Sequence, residues 1–183
     1  MSNTVIGLYR NYAKINSISE NGFKSIYALT VEVEGYTGAL IQIYATDSMT
    51  YHDIYALPNG KLDTKNLISF SGGDNVYVSK IYDQLGFSDA VQSVIINMPK
   101  IYDEDDGLVT EKGEVAIKFD NVNDYLEADA PFNQSQVVVS ILMLCSTSTS
   151  GENDILFSST PTNTGLYIWN DTGDVTRFES KRT

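Results

Sequence analysis

The side chains best equipped for chemistry in this chain are its carboxylates. Glycoside hydrolysis needs two of them flanking a cleft, one with a raised pKa. The chain holds 24 Asp and Glu residues, so their presence decides nothing and only their placement can. His52 is the sole histidine, which excludes a multi-histidine metal centre and leaves any histidine-based triad resting on one residue. Its neighbours Tyr51 and Asp53 read as a surface loop. Asp103-x-Asp105-Asp106-Gly107 superficially matches a calcium loop, but Glu111 falls too early to complete it. An acidic hairpin turn between Ile101-Tyr102 and Leu108-Val109 explains the cluster better.

Aromatic side chains are the second chemical resource. Twelve tyrosines and one tryptophan are enough to furnish a sugar-stacking face, and equally enough to fill a β core or an interface. Tyr167 and Trp169 alternate with Leu166 and Ile168, so they share one strand face and are candidate glycan or interface contacts. No G-x-G-x-x-G, Walker or C-x-x-C pattern occurs, and Gly72-Gly73-Asp74 is too short to cradle phosphate. No cofactor, metal site or catalytic residue is expected.

These residues must be carried by something, and composition bounds what. A chain of 183 residues favours one domain with a sizeable core. A net charge of −12, without a basic stripe, speaks against nucleic acid as partner. Cys145 is the only cysteine, so no intrachain disulfide forms; its apolar surroundings (Val137 to Leu144) read as a buried thiol. The N-terminus lacks the basic and apolar regions of a secretory signal, and the 137–145 run is too short and interrupted to span a bilayer.

Residues 1–24 read as an N-terminal arm, with room for one strand. Residues 23–33 have helical spacing through Phe23, Ile26, Tyr27 and Val33, although Thr30-Val31-Glu32-Val33 pulls toward strand. Strands are expected over 39–44 and 53–57. A short helix should be N-capped by Asp63 or Thr64 and stopped by Gly72-Gly73. Asn75 to Tyr82 reads as a strand with Val76, Val78 and Lys80 on one face. From residue 90 the pattern is almost wholly β: 91–96, 100–102, 115–119, 125–127, 135–144, 154–158, 165–169 and 176–178. Short strands at this spacing imply an antiparallel sandwich.

The order of segments over residues 25–126 resembles a known pattern. Ser25 to Leu29, Tyr36 to Ile43, Leu62-Asp63-Thr64, Ile81-Tyr82-Asp83-Gln84, Asp89-Ala90-Val91-Gln92, Met98 to Tyr102, Val109 to Ile117 and Phe119 to Leu126 follow one another in that order. This order is similar to the front half of α-L-arabinofuranosidase B catalytic domains and to concanavalin-A-like, laminin-G-like modules of phage and bacterial proteins. The resemblance implies a mainly β protein, an antiparallel concanavalin-A-like β-sandwich (jelly roll) over 25–183 with one or two short helices near its N-terminus. It makes Tyr82, Asp83 and Gln84 candidate glycan or interface contacts, or a framework turn in which Asp83 bonds backbone amides.

Departures from the pattern shape the expected function. Ser71 and Val76 fall where the secreted enzymes carry a cysteine pair, and Leu85 to Asp89 replaces a small, polar loop. The enzymes' catalytic carboxylates lie in a later half that maps onto no residue here. The sandwich is therefore expected to be incomplete at its C-terminus or completed by another subunit. The expected function is a non-enzymatic structural protein of a phage particle, a head- or tail-associated decoration or fibre component. Its expected partners are other virion proteins, further copies of itself as a homo-oligomer, and a host surface glycan. The alternative is a carbohydrate-binding module or a fragment of an arabinofuranosidase-like hydrolase.

Overall fold

The alternation Ile41-Gln42-Ile43-Tyr44-Ala45 sets the two faces of the molecule. Isoleucines point to a dry side, while Gln42 and Tyr44 point to the other. The structure, a computed structural model, describes residues 25–120 and 122–128, together with the strand backbones at 4–7, 154–158, 165–171 and 175–181. It is mainly β. Strands β1 (Thr4–Gly7), β2 (Ile41–Ala45), β3 (Thr50–Ile54), β4 (Val76–Ile81), β5 (Ala90–Val91), β6 (Lys100–Asp103), β7 (Gly107–Leu108), β8 (Thr110–Glu111) and β9 (Glu114–Phe119) form one nine-stranded sheet. Its main path runs β1-β9-β6-β4-β2-β3, and every pairing between named strands is antiparallel. Strands β10 (Asp154–Ser158), β11 (Gly165–Asp171) and β12 (Val175–Lys181) form a second, three-stranded sheet.

The core lies on one face of the large sheet. Ile41, Ile43, Ile54, Val76, Val78 and Ile101 are wholly buried there, as are Leu40 and Leu67. Burying side chains of this size contributes about 1.5–3 kcal/mol each before entropy is counted. Leu67 comes from helix α1 (Thr64–Ser71), whose ends follow local chemistry. The Asp63 carboxylate accepts the Asn66 amide at 3.1 Å, and Gly72 closes the last turn at φ +60°. The acidic cluster is a hairpin turn, with Asp103 opposite Gly107 and Tyr102 opposite Leu108. A second turn, Lys112-Gly113, joins β8 to β9.

Three expectations are corrected. Residues 25–33 are not helical. Their amides are taken from outside: Ile26 donates to Asp83, Glu32 and Val33 donate to Gln84, and Val31 donates to the Gly60 carbonyl. A helix would need those same amides for itself. The expected strand over 91–96 shrinks to Ala90–Val91. The Gln92 side chain accepts the Val94 amide at 2.9 Å, and a short 3₁₀ turn follows at Ile95–Asn97. Lys80 does not share the face of Val76 and Val78. Ile43 faces Val78 but Gln42 faces Lys80, so a bulge at Ser79 flips the register. Ile81 thereby joins the core and Lys80 turns outward.

The strands expected at 39–44, 53–57 and 125–127 also shift. They appear as Ile41–Ala45, Thr50–Ile54 and a single bridge from Glu127 to Val91. Within the expected arm, Thr4–Gly7 is a strand paired with Glu114–Phe119. The remainder of 1–24, the 135–144 strand and Cys145 lie outside the described residues. No helix among the described residues is long and apolar enough to cross a membrane.

Candidate functional site

The face opposite the core carries a line of register partners. Tyr51 on β3 stands opposite Tyr44 on β2, Tyr44 opposite Tyr77 on β4, Tyr77 opposite Lys100 on β6, and Lys100 opposite Lys118 on β9. Three tyrosines and two lysines thus cross five neighbouring strands in one row. At the usual strand spacing the row runs about 19 Å. The Tyr44 and Tyr51 rings lie 5.0 Å apart and tilted, and the Lys100 ammonium sits 5.7 Å from the Tyr77 ring centre. Tyr51 is half exposed and Tyr77 partly so, while Tyr44 is buried between its neighbours.

The basic end of the row opens into a cleft of about 410 Å³. Tyr77, Lys100 and Lys118 line it from the strands, Ile95 and Ile96 from the 3₁₀ turn, and Asp120 and Asp124 from the turn after β9. Lys100 is fully engaged, with Asp103 Oδ2 and Asn75 Oδ1 each at 2.7 Å. The Lys118 ammonium makes no ion pair or hydrogen bond with the described residues.

One carboxylate builds the turn that carries the acids. Asp120 Oδ1 accepts the amides of Val122, Asn123 and Asp124 at 2.8, 3.1 and 3.3 Å. Asp124 Oδ2 returns the favour by accepting the Asp120 amide at 2.9 Å. The two acids titrate in opposite directions. Burial raises Asp120, but the three amide donors outweigh it and hold its carboxyl below the usual range. Burial pushes Asp124 up to about 6, with the Asp120 charge adding and the Asp120 amide and Lys100 opposing.

A second row lies beside the first. Asp53 pairs with Gln42 and Gln42 with Lys80. The Tyr82 hydroxyl donates to Asp53 at 2.9 Å, and Lys80 reaches Asp89 at 3.3 Å and the Tyr82 ring at 4.8 Å. Burial first, then the bond to Asp53, raises the Tyr82 phenol.

The candidates read from the sequence scatter. Tyr82 is half-buried in this second row. Asp83 and Gln84 are buried at 3% and 5% exposure, and their polar atoms face backbone. Asp83 Oδ1 accepts the Ile26 and Leu85 amides, and Oδ2 those of Phe87 and Ser88. Gln84 accepts from Glu32 and Val33 and donates to the Thr30 carbonyl. Both residues therefore act as a framework. Tyr167 and Trp169 occupy β11 opposite Glu179 and Arg177, and their side chains lie outside the described residues. His52 is on strand β3 rather than in a loop. Its ring stacks on Phe70 at 4.8 Å and meets Asn66 Oδ1 at 3.2 Å. Among the described residues no cluster of His, Cys, Asp or Glu is arranged to hold a metal ion.

Sequence reasoning missed Tyr44, Tyr51, Tyr77, Lys100, Lys118 and Asp124. Alternation along β2 and β4 hinted at the tyrosines, but only the pairing register aligns them. Comparison of the chain with protein-family models, curated proteins and solved structures returns no match, so the face is read from its own geometry.

Proposed function

We propose that the protein is a structural component of a phage particle, head- or tail-associated, that displays a concanavalin-A-like sandwich and adheres weakly to glycans. The observation that carries the adhesion reading is the tyrosine–lysine row ending in a cleft. A sheet face is flat at the scale of a sugar ring, and tyrosine offers an apolar face with a polar tip. The cleft is of the size that small-ligand sites take. The segment order over 25–126, which resembles phage modules, supports the particle.

Assembly has its own support. The loops at 91–97 and 122–127 are bonded together through Val91, Gln92, Asn97, Tyr125 and Glu127. They expose Val91, Val94, Ile96, Val122 and Tyr125, and grouped apolar exposure of this kind suits contact with another virion protein or a further copy. Native mass measurement and virion co-purification test the reading. A homo-oligomer or a particle-bound chain is expected. A monomer that releases arabinose from a synthetic glycoside would sink it.

One observation favours a second reading, a fragment of an arabinofuranosidase-like hydrolase. Asp120 and Asp124 line one cleft with their carboxyls driven apart, as acid–base pairs are. Yet each spends an oxygen on the turn's own amides, which favours the non-catalytic reading. Hydrolysis that disappears in Asp124→Asn would reverse that preference.

A further inference from the structure

Lys118 is what glycan adhesion in general leaves unexplained. It stands directly opposite Lys100, a placement that like charge disfavours. Lys100 has its compensation in Asp103. Lys118 is half-buried in the same cleft, and no carboxylate among the described residues lies within ion-pair distance of it. A partly desolvated ammonium without a counter-charge is unfavourable, and an anion brought by a ligand would offset it. The neighbouring wall is apolar and aromatic, formed by Ile95, Ile96 and the Tyr77 ring.

We propose that the cleft binds the carboxylate-bearing ring of an acidic sugar, of the uronic-acid class, with its carboxylate on Lys118 and its apolar face against Tyr77. The assignment rests on the adhesion reading and sharpens it. A single carboxylate suits one lysine that has no counter-charge among the described residues. A polyphosphate chain would meet Asp120 and Asp124 in the cleft and Asp103 beside Lys100, on a protein of charge −12.

The cleft also makes binding depend on pH. Asp124 shares it with Asp120 and Lys118 from β9 and its turn, Lys100 from β6 and Tyr77 from β4. Burial pushes its carboxyl up to about 6. Below that pH it is neutral and no longer repels a ligand carboxylate. Above it, repulsion returns.

Titration calorimetry of the full chain with trigalacturonate and with neutral galactotriose tests the site, at pH 5 and pH 7.5. The acidic trisaccharide should bind more tightly than the neutral one, and more tightly at pH 5. Lys118→Met should weaken it about tenfold, the loss expected for one charge-assisted bond. Lys118→Arg, which keeps the charge, should retain most of the affinity. Matched melting curves check that both variants fold, and amide chemical-shift changes confined to the cleft of the unaltered protein provide a readout independent of them. Equal affinities for both sugars, unmoved by either substitution, would overturn the Lys118 site while leaving glycan adhesion standing. Binding of neither sugar would overturn both. Tighter binding of oligothymidylate than of either sugar would overturn the sugar assignment in favour of a nucleic acid.

Discussion

Two strands of the large sheet, β4 and β9, each run into a turn organised by one aspartate, yet the turns do different work. Asp83 is buried and gathers four backbone amides, one of them from Ile26, 57 residues away in sequence. Asp120 is exposed and gathers three, all within four residues of itself. The first turn fastens a distant segment to the sheet. The second shapes a short loop and delivers Asp124 to the cleft. The same side chain and the same bond type thus serve the fold in one place and the surface in the other. Burial and contact range make the difference, because an unmet amide in water rebonds to solvent and a buried one cannot.

The largest effect should follow removal of the buried carboxylate. Asp83→Ala strands the Ile26, Leu85, Phe87 and Ser88 amides together, and leaving buried donors unmet costs about 1–3 kcal/mol each, less where water re-enters. A total loss of about 4 kcal/mol or more approaches the whole stability of a domain. Urea unfolding should show most of the chain unfolded at low denaturant. Asp83→Asn, which keeps one acceptor oxygen and turns a donor toward two amides, should fall between. If Asp83→Ala costs no more than Asp120→Ala, the distinction between the two turns collapses.

Gln84→Leu should come next. It keeps bulk but releases the Glu32 and Val33 amides and the Thr30 carbonyl. A loss of about 2 kcal/mol is expected. Hydrogen exchange should quicken at 32 and 33 while the amides of β4 stay protected. Uniformly faster exchange would mean that Gln84 supports the sheet as a whole rather than the 30–33 segment bonded to it.

What the sequence disclosed follows the same division between local and distant contacts. Helix α1 was legible because Asp63 and Gly72-Gly73 lie in its own sequence and act on its own ends. The framework role of Asp83 was legible in its local part, the amides of Leu85, Phe87 and Ser88. Its bond to Ile26 was not, and the same missing contact made 23–33 look helical. The bulge at Ser79 also escaped, because alternation through Val76 and Val78 continues naturally to Lys80 unless the partner strand is known. The tyrosine–lysine row is the extreme case. Its five members come from five segments between residues 44 and 118 and meet only through pairing. Tyr82, Asp83 and Gln84 drew attention by a local motif, yet two of the three are buried.

The smallest effect, and the finest test of the comparison, lies in the pH dependence of the exposed turn. Asp120 has its folded pKa lowered, so its contribution is present above the ordinary carboxylate value of 3.8 and lost as pH falls through the lower folded value. Asp124 has its folded pKa raised to about 6, so its contribution has the opposite sign. It is fully present below 3.8 and lost as pH rises through 6. Melting temperature should therefore decline modestly between pH 4 and pH 7 through Asp124, an effect on the order of 1 kcal/mol after allowing for solvent screening. Asp124→Asn should abolish that decline and leave the acid-side loss from Asp120 in place. Asp120→Ala should cost about 1 kcal/mol at neutral pH, as removal of an exposed capping side chain does, and should remove the acid-side loss. It should also lower the Asp124 pKa, because the Asp120 charge helps to hold it up, although the same change loosens the turn that keeps Asp124 buried. Carboxyl chemical shifts followed by NMR measure this coupling directly. An Asp124 carboxyl that titrates near 4 in the unaltered protein would mean that water reaches the cleft freely and that the exposed turn serves only itself.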